Sequence, residues 1–336
     1  MNLKEIKKNA RKALKGNWGL AIGTWLLMYA IMYPIIWFVT PIFGFAIGGW
    51  LENTLDMMVA FMVTPILSTG VAWISLSFVD FKETTIGEMF KPFKNYGRIL
   101  GAMMIVILLM SLWGVLFGFV GGFIFTAITP EVSYDFNLAA TIIRILVIVL
   151  IVVLALILIS FRYAMVPYLL KDFPGFSATN AVKASKVIMK GKTFKFFQLR
   201  FFFFLIVAPG IVSLFVGFGM IVYLIIQLIF DNPMLALFPH MIEAQIYLGS
   251  SLLFDMLAGM LLIMFGGLYW FGMNFYVVPY RNASIAAFYR ELVAKVEKQV
   301  VTSEDVANDS DYSDFLSNTP PKEIDGTEFD EEIPTL

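Results

Sequence analysis

The segment MNLKEIKKNARKALKGNWGLAIGTWLLMYAIMYPIIWFVT, residues 1–40, changes character at one place. Up to Asn17 it holds six Lys or Arg, and from Trp18 to Thr40 it holds no charged residue. About 20 consecutive apolar residues cross the hydrocarbon core of a bilayer as an α-helix. Residues 18–40 therefore read as a membrane span, with Pro34 as an expected kink. The run is too long for a signal-peptide core and no small-residue cleavage site follows it, so it reads as a first span that is kept.

The same alternation continues down the chain. Basic residues cluster in three further blocks, four in 80–98, seven in 171–200 and four in 281–298, and outside the blocks stand only Arg144, Arg162 and Lys322. The turns at about 40–56, 129–140 and 231–250 carry acids but no Lys or Arg. Loops rich in Lys and Arg stay on the cytoplasmic side of a membrane. The expected fold is therefore all-α and polytopic, with six transmembrane helices at about 18–40, 57–79, 99–128, 141–168, 197–230 and 251–280. Both termini are expected in the cytoplasm. The expected organisation is a basic helix over 1–17, a six-span domain over 18–298 and an acidic tail over 299–336.

Composition agrees. Hydrophobic residues make up 59% of the 336, charged residues 15%, and the mean hydropathy is +0.81. A soluble domain carries about 25% charged residues, so lipid must solvate most of this surface. The net charge of −1 averages two unlike parts: residues 299–336 carry eleven acids and one base, which leaves an excess of nine positive charges on the rest. That excess predicts membrane lipids, and an anionic inner leaflet, as partners. No nucleic-acid partner is expected. Without cysteine the chain has no disulfide, thiolate nucleophile or Cys-ligated metal.

Each basic block also has helical periodicity. Leu3, Ile6, Ala10 and Ala13 share a face in the first, with Asn2 and Glu5 placed as a capping box. Thr85 and Glu88 form a second such box ahead of Met89, Phe90 and Phe93. Ser177 is placed to cap a helix through Ala181, Val182, Ser185, Ile188 and Met189, with Gly191 to stop it. Ile285, Phe288, Leu292 and Val296 make the fourth stripe. Basic amphipathic helices beside a membrane lie in its interface; binding a partner is the other reading. Lys15-Gly16-Asn17-Trp18, Lys94-Asn95-Tyr96-Gly97 and Lys190-Gly191-Lys192-Thr193 each lead into a span. Val166-Pro167-Tyr168 and Val278-Pro279-Tyr280 close spans four and six. A threefold hairpin repeat is expected from these echoes. The acidic tail reads as a solubilising appendage, or as a docking segment for a basic protein partner or for the basic face itself.

Few residues offer chemistry. Arg144 and Arg162 stand 18 residues apart in span four, about 27 Å along a helix, which places one near each interface as an anchor. Contact with an anion or lipid phosphate is the alternative for both, and Lys190 and Lys192 join that set. Asp255 and Gln227 are candidates for an intramembrane polar site. His240, the one histidine, is too little for zinc. Gly114, Gly118 and Gly122 form a helix-packing stripe in span three, and Gly259, Gly266, Gly267 and Gly272 thin span six. No phosphate loop, dinucleotide fingerprint, nucleophile motif or paired intramembrane carboxylates occur. No cofactor and no enzymatic activity are expected. Two functions remain: a non-enzymatic envelope or membrane-homeostasis factor acting at the inner leaflet, or a permease for a hydrophobic or lipid-like solute.

Three of these motifs, in this order, carry a resemblance. Arg11-Lys12-Ala13-Leu14-Lys15-Gly16-Asn17-Trp18-Gly19 is similar to the start of an uncharacterised bacterial membrane family, domain of unknown function 975. So are Ser185-Lys186-Val187-Ile188-Met189-Lys190-Gly191-Lys192 and Val278-Pro279-Tyr280 followed by Ala287-Phe288-Tyr289-Arg290-Glu291-Leu292. The resemblance covers about residues 1–295 and implies a Gram-positive cytoplasmic membrane. It implies no catalytic residue and no substrate. A looser likeness, to membrane domains attached to some glycerophosphodiester phosphodiesterases, implies a lipid- or envelope-related role. The aromatic run Phe194 to Phe204 and the long acidic tail depart from the family pattern.

Overall fold

The computed structural model describes residues 2–34, 49–128, 138–230 and 242–302. The second half of span one, most of the three acidic turns, His240 and nearly all of the acidic tail lie outside these residues. Among the described residues all regular structure is helical. In chain order the α-helices are α1 (Leu3–Leu14), α2 (Trp18–Pro34), α3 (Gly49–Val79), α4 (Tyr96–Ile128), α5 (Leu138–Ser160), α6 (Val166–Asp172), α7 (Ala178–Ile188), α8 (Thr193–Phe230) and α9 (Ile242–Thr302). Five stretches are long and apolar enough to cross a membrane: Phe61–Val79, Ile86–Ala127, Thr141–Asp172, Thr193–Ile226 and Leu253–Lys295. Span one is described only as far as Pro34.

Local chemistry explains several helix ends. The Asn2 side chain accepts from the Lys4 amide at 3.1 Å, and Ser177 accepts from the Asn180 amide at 3.2 Å, each satisfying one of the four orphan donors of a helix start. Gly16 (φ +87°) and Gly191 (φ +72°) adopt the left-handed conformation that lets the chain leave a basic helix and enter a span. Gly97 has no such φ, so the Lys94–Gly97 step is built differently.

Three elements depart from the sequence expectation. The second basic block forms a 3-10 helix, Ile86–Asn95, because Pro92 within it supplies no amide and crowds the preceding turn. Span four stops at Ser160 and passes through a 3-10 turn, Phe161–Tyr163, into the short α6; Pro167 sits in the first turn of α6 and disfavours helix just before it. After span six, by contrast, the chain does not break. Helix α9 runs 61 residues through Pro279 and carries the fourth amphipathic stripe on the same rod. Helix α3 ends with Phe81 at φ +52°, where the Lys82 amide reaches the Ser77 carbonyl and the Phe81 amide that of Phe78. That is a Schellman stop with a phenylalanine where glycine is usual.

The chain divides into two compact units, Met1–Pro92 with Lys192–Tyr289, and Phe93–Gly191 with Arg290–Leu336. In both, the buried side chains gather where the basic blocks meet the spans. In the first unit Ile6, Leu14, Ile74, Phe196, Phe203, Tyr280, Phe288 and Tyr289 are buried. In the second they are Ile99, Val166, Leu169, Ile188 and Met189. Further along the same spans the apolar side chains are exposed: Ile143, Leu146 and Ile151 on α5, Phe215 on α8 and Leu268 on α9. Each such side chain would cost about 1.5–3 kcal/mol to leave in water. Only a lipid solvent makes that surface stable, and this is a polytopic helical membrane fold.

Candidate functional site at the basic helix junctions

In the first unit, α1 is fastened to the end of span six. Its apolar face buries Ile6, Ala10, Ala13 and Leu14. The Tyr280 hydroxyl donates to the Lys7 carbonyl at 3.3 Å, and the Tyr280 ring packs edge-on to Phe203 at 5.0 Å. The Arg11 guanidinium lies 5.1 Å from the same ring, and the Lys7 ammonium lies 3.7 Å from the Phe202 ring, both cation–π arrangements. Burial first, then repulsion from Arg11 and Lys4, lowers the Lys7 pKa from its ordinary value. Arg11 is shifted upward by the phenol groups of Tyr280 and then Tyr276. Beyond the Gly16 turn, the Asn17 amide group donates to the Ala13 carbonyl at 3.3 Å and Trp18 stacks on Tyr276 at 5.5 Å. Arg11, Ala13, Leu14, Gly16, Asn17 and Trp18 of the opening motif thus each have a structural task.

Further into this unit, α8 and α9 meet along an antiparallel seam. A Cβ on Gly217 would lie 2.7 Å from the Gly259 carbonyl, and one on Gly266 would lie 3.0 Å from that of Gly210. Between these pairs Ser213 donates to the Leu262 carbonyl at 2.8 Å, and beyond them Tyr269 donates to that of Ile206 at 2.8 Å. Small residues that admit a neighbouring backbone, with hydrogen bonds between them, hold helices together in lipid. Elsewhere in the unit, Gly70 of α3 meets backbone again: a Cβ there would run into the Met89 carbonyl oxygen of the 3-10 helix.

The second unit is fastened by polar groups. Arg98, at the start of α4, donates to the carbonyls of Leu170 (3.0 Å), Phe176 (3.5 Å) and Pro174. It so satisfies the end of α6 and the loop after it, where a cation also complements the helix dipole. Ser185 of α7 donates to the Arg162 carbonyl at 2.8 Å and accepts from the Met165 amide at 3.3 Å. One buried hydroxyl thereby closes the backbone where span four breaks. Arg290 and Asp172 form a fork-to-fork pair, its Nη2 arm at 3.1 Å, the geometry that suits a guanidinium to a carboxylate.

The residues singled out from sequence occupy varied positions. Arg144 is exposed on α5, and Arg162 is exposed in the 3-10 turn that Ser185 supports. Lys190 and Lys192 flank the Gly191 turn, the first exposed and the second half-buried. Asp255 is half-buried on α9, two residues inside Leu253–Lys295. Gln227 belongs to α8, with its side chain outside the described residues. In α4 the close approach is at Gly121, where a Cβ would meet Ile148 Cγ2 at 2.9 Å. Gly114 faces Leu156 at 4.0 Å, while Gly118 and Gly122 have nothing within 4 Å and line an open furrow with Val115, Phe119, Phe123 and Thr126. Sequence reasoning passed over Arg98, Asp172, Gly70 and the pair Gly210 and Gly217. Only the last had a signal, a spacing of seven that matches Gly259 and Gly266.

What the junctions leave outside is charge. Lys4, Lys8 and Lys12 of α1 with its cap Lys15, and Lys183 and Lys186 of α7 with Lys190 just past its cap, are exposed, and among the described residues none has an acidic partner. The ion pairs Lys91–Glu88 and Lys295–Glu291 lie elsewhere. Among the described residues, no three His, Cys, Asp or Glu side chains converge to hold a metal.

Fold and junctions together define a helical, multi-span membrane protein whose buried side chains gather where basic helices are fixed to span ends. The chain belongs to the family described as Protein of unknown function (DUF975), whose model matches residues 1–296. That match takes in every junction above and ends just before the acidic tail. No curated protein and no solved structure matches the chain.

Proposed function

We propose that the protein is a non-enzymatic integral protein of a Gram-positive cytoplasmic membrane, with both termini inside, that serves envelope or membrane homeostasis at the inner leaflet. The observation that carries this reading is the pair of lysine faces, on α1 and on α7, held by helices whose opposite faces are buried. Rigid mounting matters, because helices already fixed in place lose less entropy when their lysines meet headgroups. Each near-surface lysine adds about 1 kcal/mol of attraction to an anionic leaflet.

Native mass spectrometry of lipids retained from mixed phosphatidylglycerol and phosphatidylcholine bilayers tests the reading. Phosphatidylglycerol is expected to be enriched on the wild-type protein and lost when the seven lysines become glutamine; equal retention of both lipids overturns it. Orientation has its own test, since the chain has no cysteine. An impermeant maleimide added to whole cells should label Ser133→Cys and spare Asn2→Cys.

A further inference from the structure

We infer that the lysine face of α7 is the docking surface for this chain's own acidic C-terminal segment, residues 303–336. Lys183 and Lys186, three residues apart, share the exposed side of α7, and Lys190 is exposed in the turn two residues past its end. Their opposite face is committed to the unit interior, where Ala181, Val182, Ser185 and Ile188 are buried. Helix α7 contains no acid, and among the described residues the three lysines have no anionic partner. The segment after Thr302 carries eleven acids against one lysine, with runs at Asp309, Asp311 and Asp314 and again at Glu328, Asp330, Glu331 and Glu332.

Connectivity places the two charges within reach of each other. Arg290 pairs with Asp172, six residues before α7 begins, and Thr302 lies about 18 Å further along α9. The 34 residues beyond it can extend up to about 110 Å. Individual exposed ion pairs are weak, but a tethered segment acts at an effective concentration in the millimolar range, so weak pairs suffice for substantial occupancy. The family match stops at residue 296, so the acidic segment lies outside the part of the chain that the match covers. A segment docked there also covers lysines assigned above to the inner leaflet; only that competition rests on the proposed function.

The test is a nitroxide on Ser317→Cys in the full-length protein, held in phosphatidylcholine nanodiscs and read by its spectrum. At about 20 mM salt the label should be immobilised, and at about 500 mM it should be released as the charges are screened. K183Q/K186Q/K190Q should release it at low salt with the helical content unchanged, whereas K4Q/K8Q/K12Q should leave it bound. A spectrum indifferent to salt, or identical in the wild type and the α7 variant, overturns the inference. So does broadening on dilution-sensitive spin–spin contact, which would mean that the segment of another copy is the ligand. Phosphatidylglycerol should also release the label. Release by salt and by the α7 variant but not by phosphatidylglycerol supports the docking and counts against the inner-leaflet reading.

Discussion

The glycines of α8 and α9 and those of α4 look alike in sequence and meet different surroundings. Gly210 and Gly217 stand seven apart on one helix, Gly259 and Gly266 seven apart on its antiparallel partner, and backbone faces backbone across the seam. Gly114, Gly118 and Gly122 are spaced by four and look more like a packing motif, yet Gly118 and Gly122 face open space and the tight contact falls on Gly121. A glycine stripe permits close approach; whether a neighbour takes the opportunity depends on what stands opposite. Substitution at glycine therefore separates the two cases, and the expected effects form a series.

The largest loss is expected for Gly217→Leu, or Gly266→Leu. Either side chain must push α8 from α9 and pull the Ser213 and Tyr269 hydrogen bonds out of register. A destabilisation of about 3 kcal/mol or more, read by reversible unfolding in mixed micelles, is the expected result. Gly70→Ala comes next, at about 2–3 kcal/mol, because even one methyl group meets the rigid Met89 backbone. Gly16→Ala and Gly191→Ala should each cost about 1–2 kcal/mol for a different reason: space is open around both, and the penalty lies in the left-handed backbone. Phe81→Gly tests the same physics with the opposite sign, since Phe81 is 75% exposed at φ +52°. A gain of about 1 kcal/mol is expected, measured as a raised midpoint. Gly118→Leu closes the series with a change within about 0.5 kcal/mol. A large loss there would show that the open furrow is covered in the membrane and would dissolve the contrast.

Local rules made much of this legible. Asn2, Ser177 and Gly191 act within a turn of where they stand, so their capping and stopping roles could be read directly. The apolar face Ile6, Ala10 and Ala13 appears as expected because helical period alone determines it. Arg98 was opaque because its partners, the carbonyls of residues 170–176, are more than 70 positions away. Ser185 could be placed on a buried face, but its hydrogen bonds exist only because span four breaks twenty residues earlier. The 3-10 helix at Ile86–Asn95 was not legible from the capping pair Thr85 and Glu88 alone, because Pro92 further along the segment, which that pattern leaves out, changes the helix type. Half of the glycine seam was visible in α9, and its other half needed knowledge of which helix lies alongside.

The hydrogen bond from Tyr280 to Lys7 joins residues 273 positions apart, and that separation is also an interval of time. At 5–20 residues per second of synthesis, roughly 14–55 s pass between the emergence of the first helix and that of the tyrosine that fastens it. Trp18 waits nearly as long for Tyr276. Throughout that interval α1 carries Ile6, Ala10 and Leu14 on one side and lysines on the other, the pattern of helices suited to a bilayer surface. Biogenesis of the first unit is therefore a closing of the chain's beginning onto its last span. A chain that stopped before residue 276 would leave the opening helix without either of the tyrosines that fasten it, Tyr276 and Tyr280.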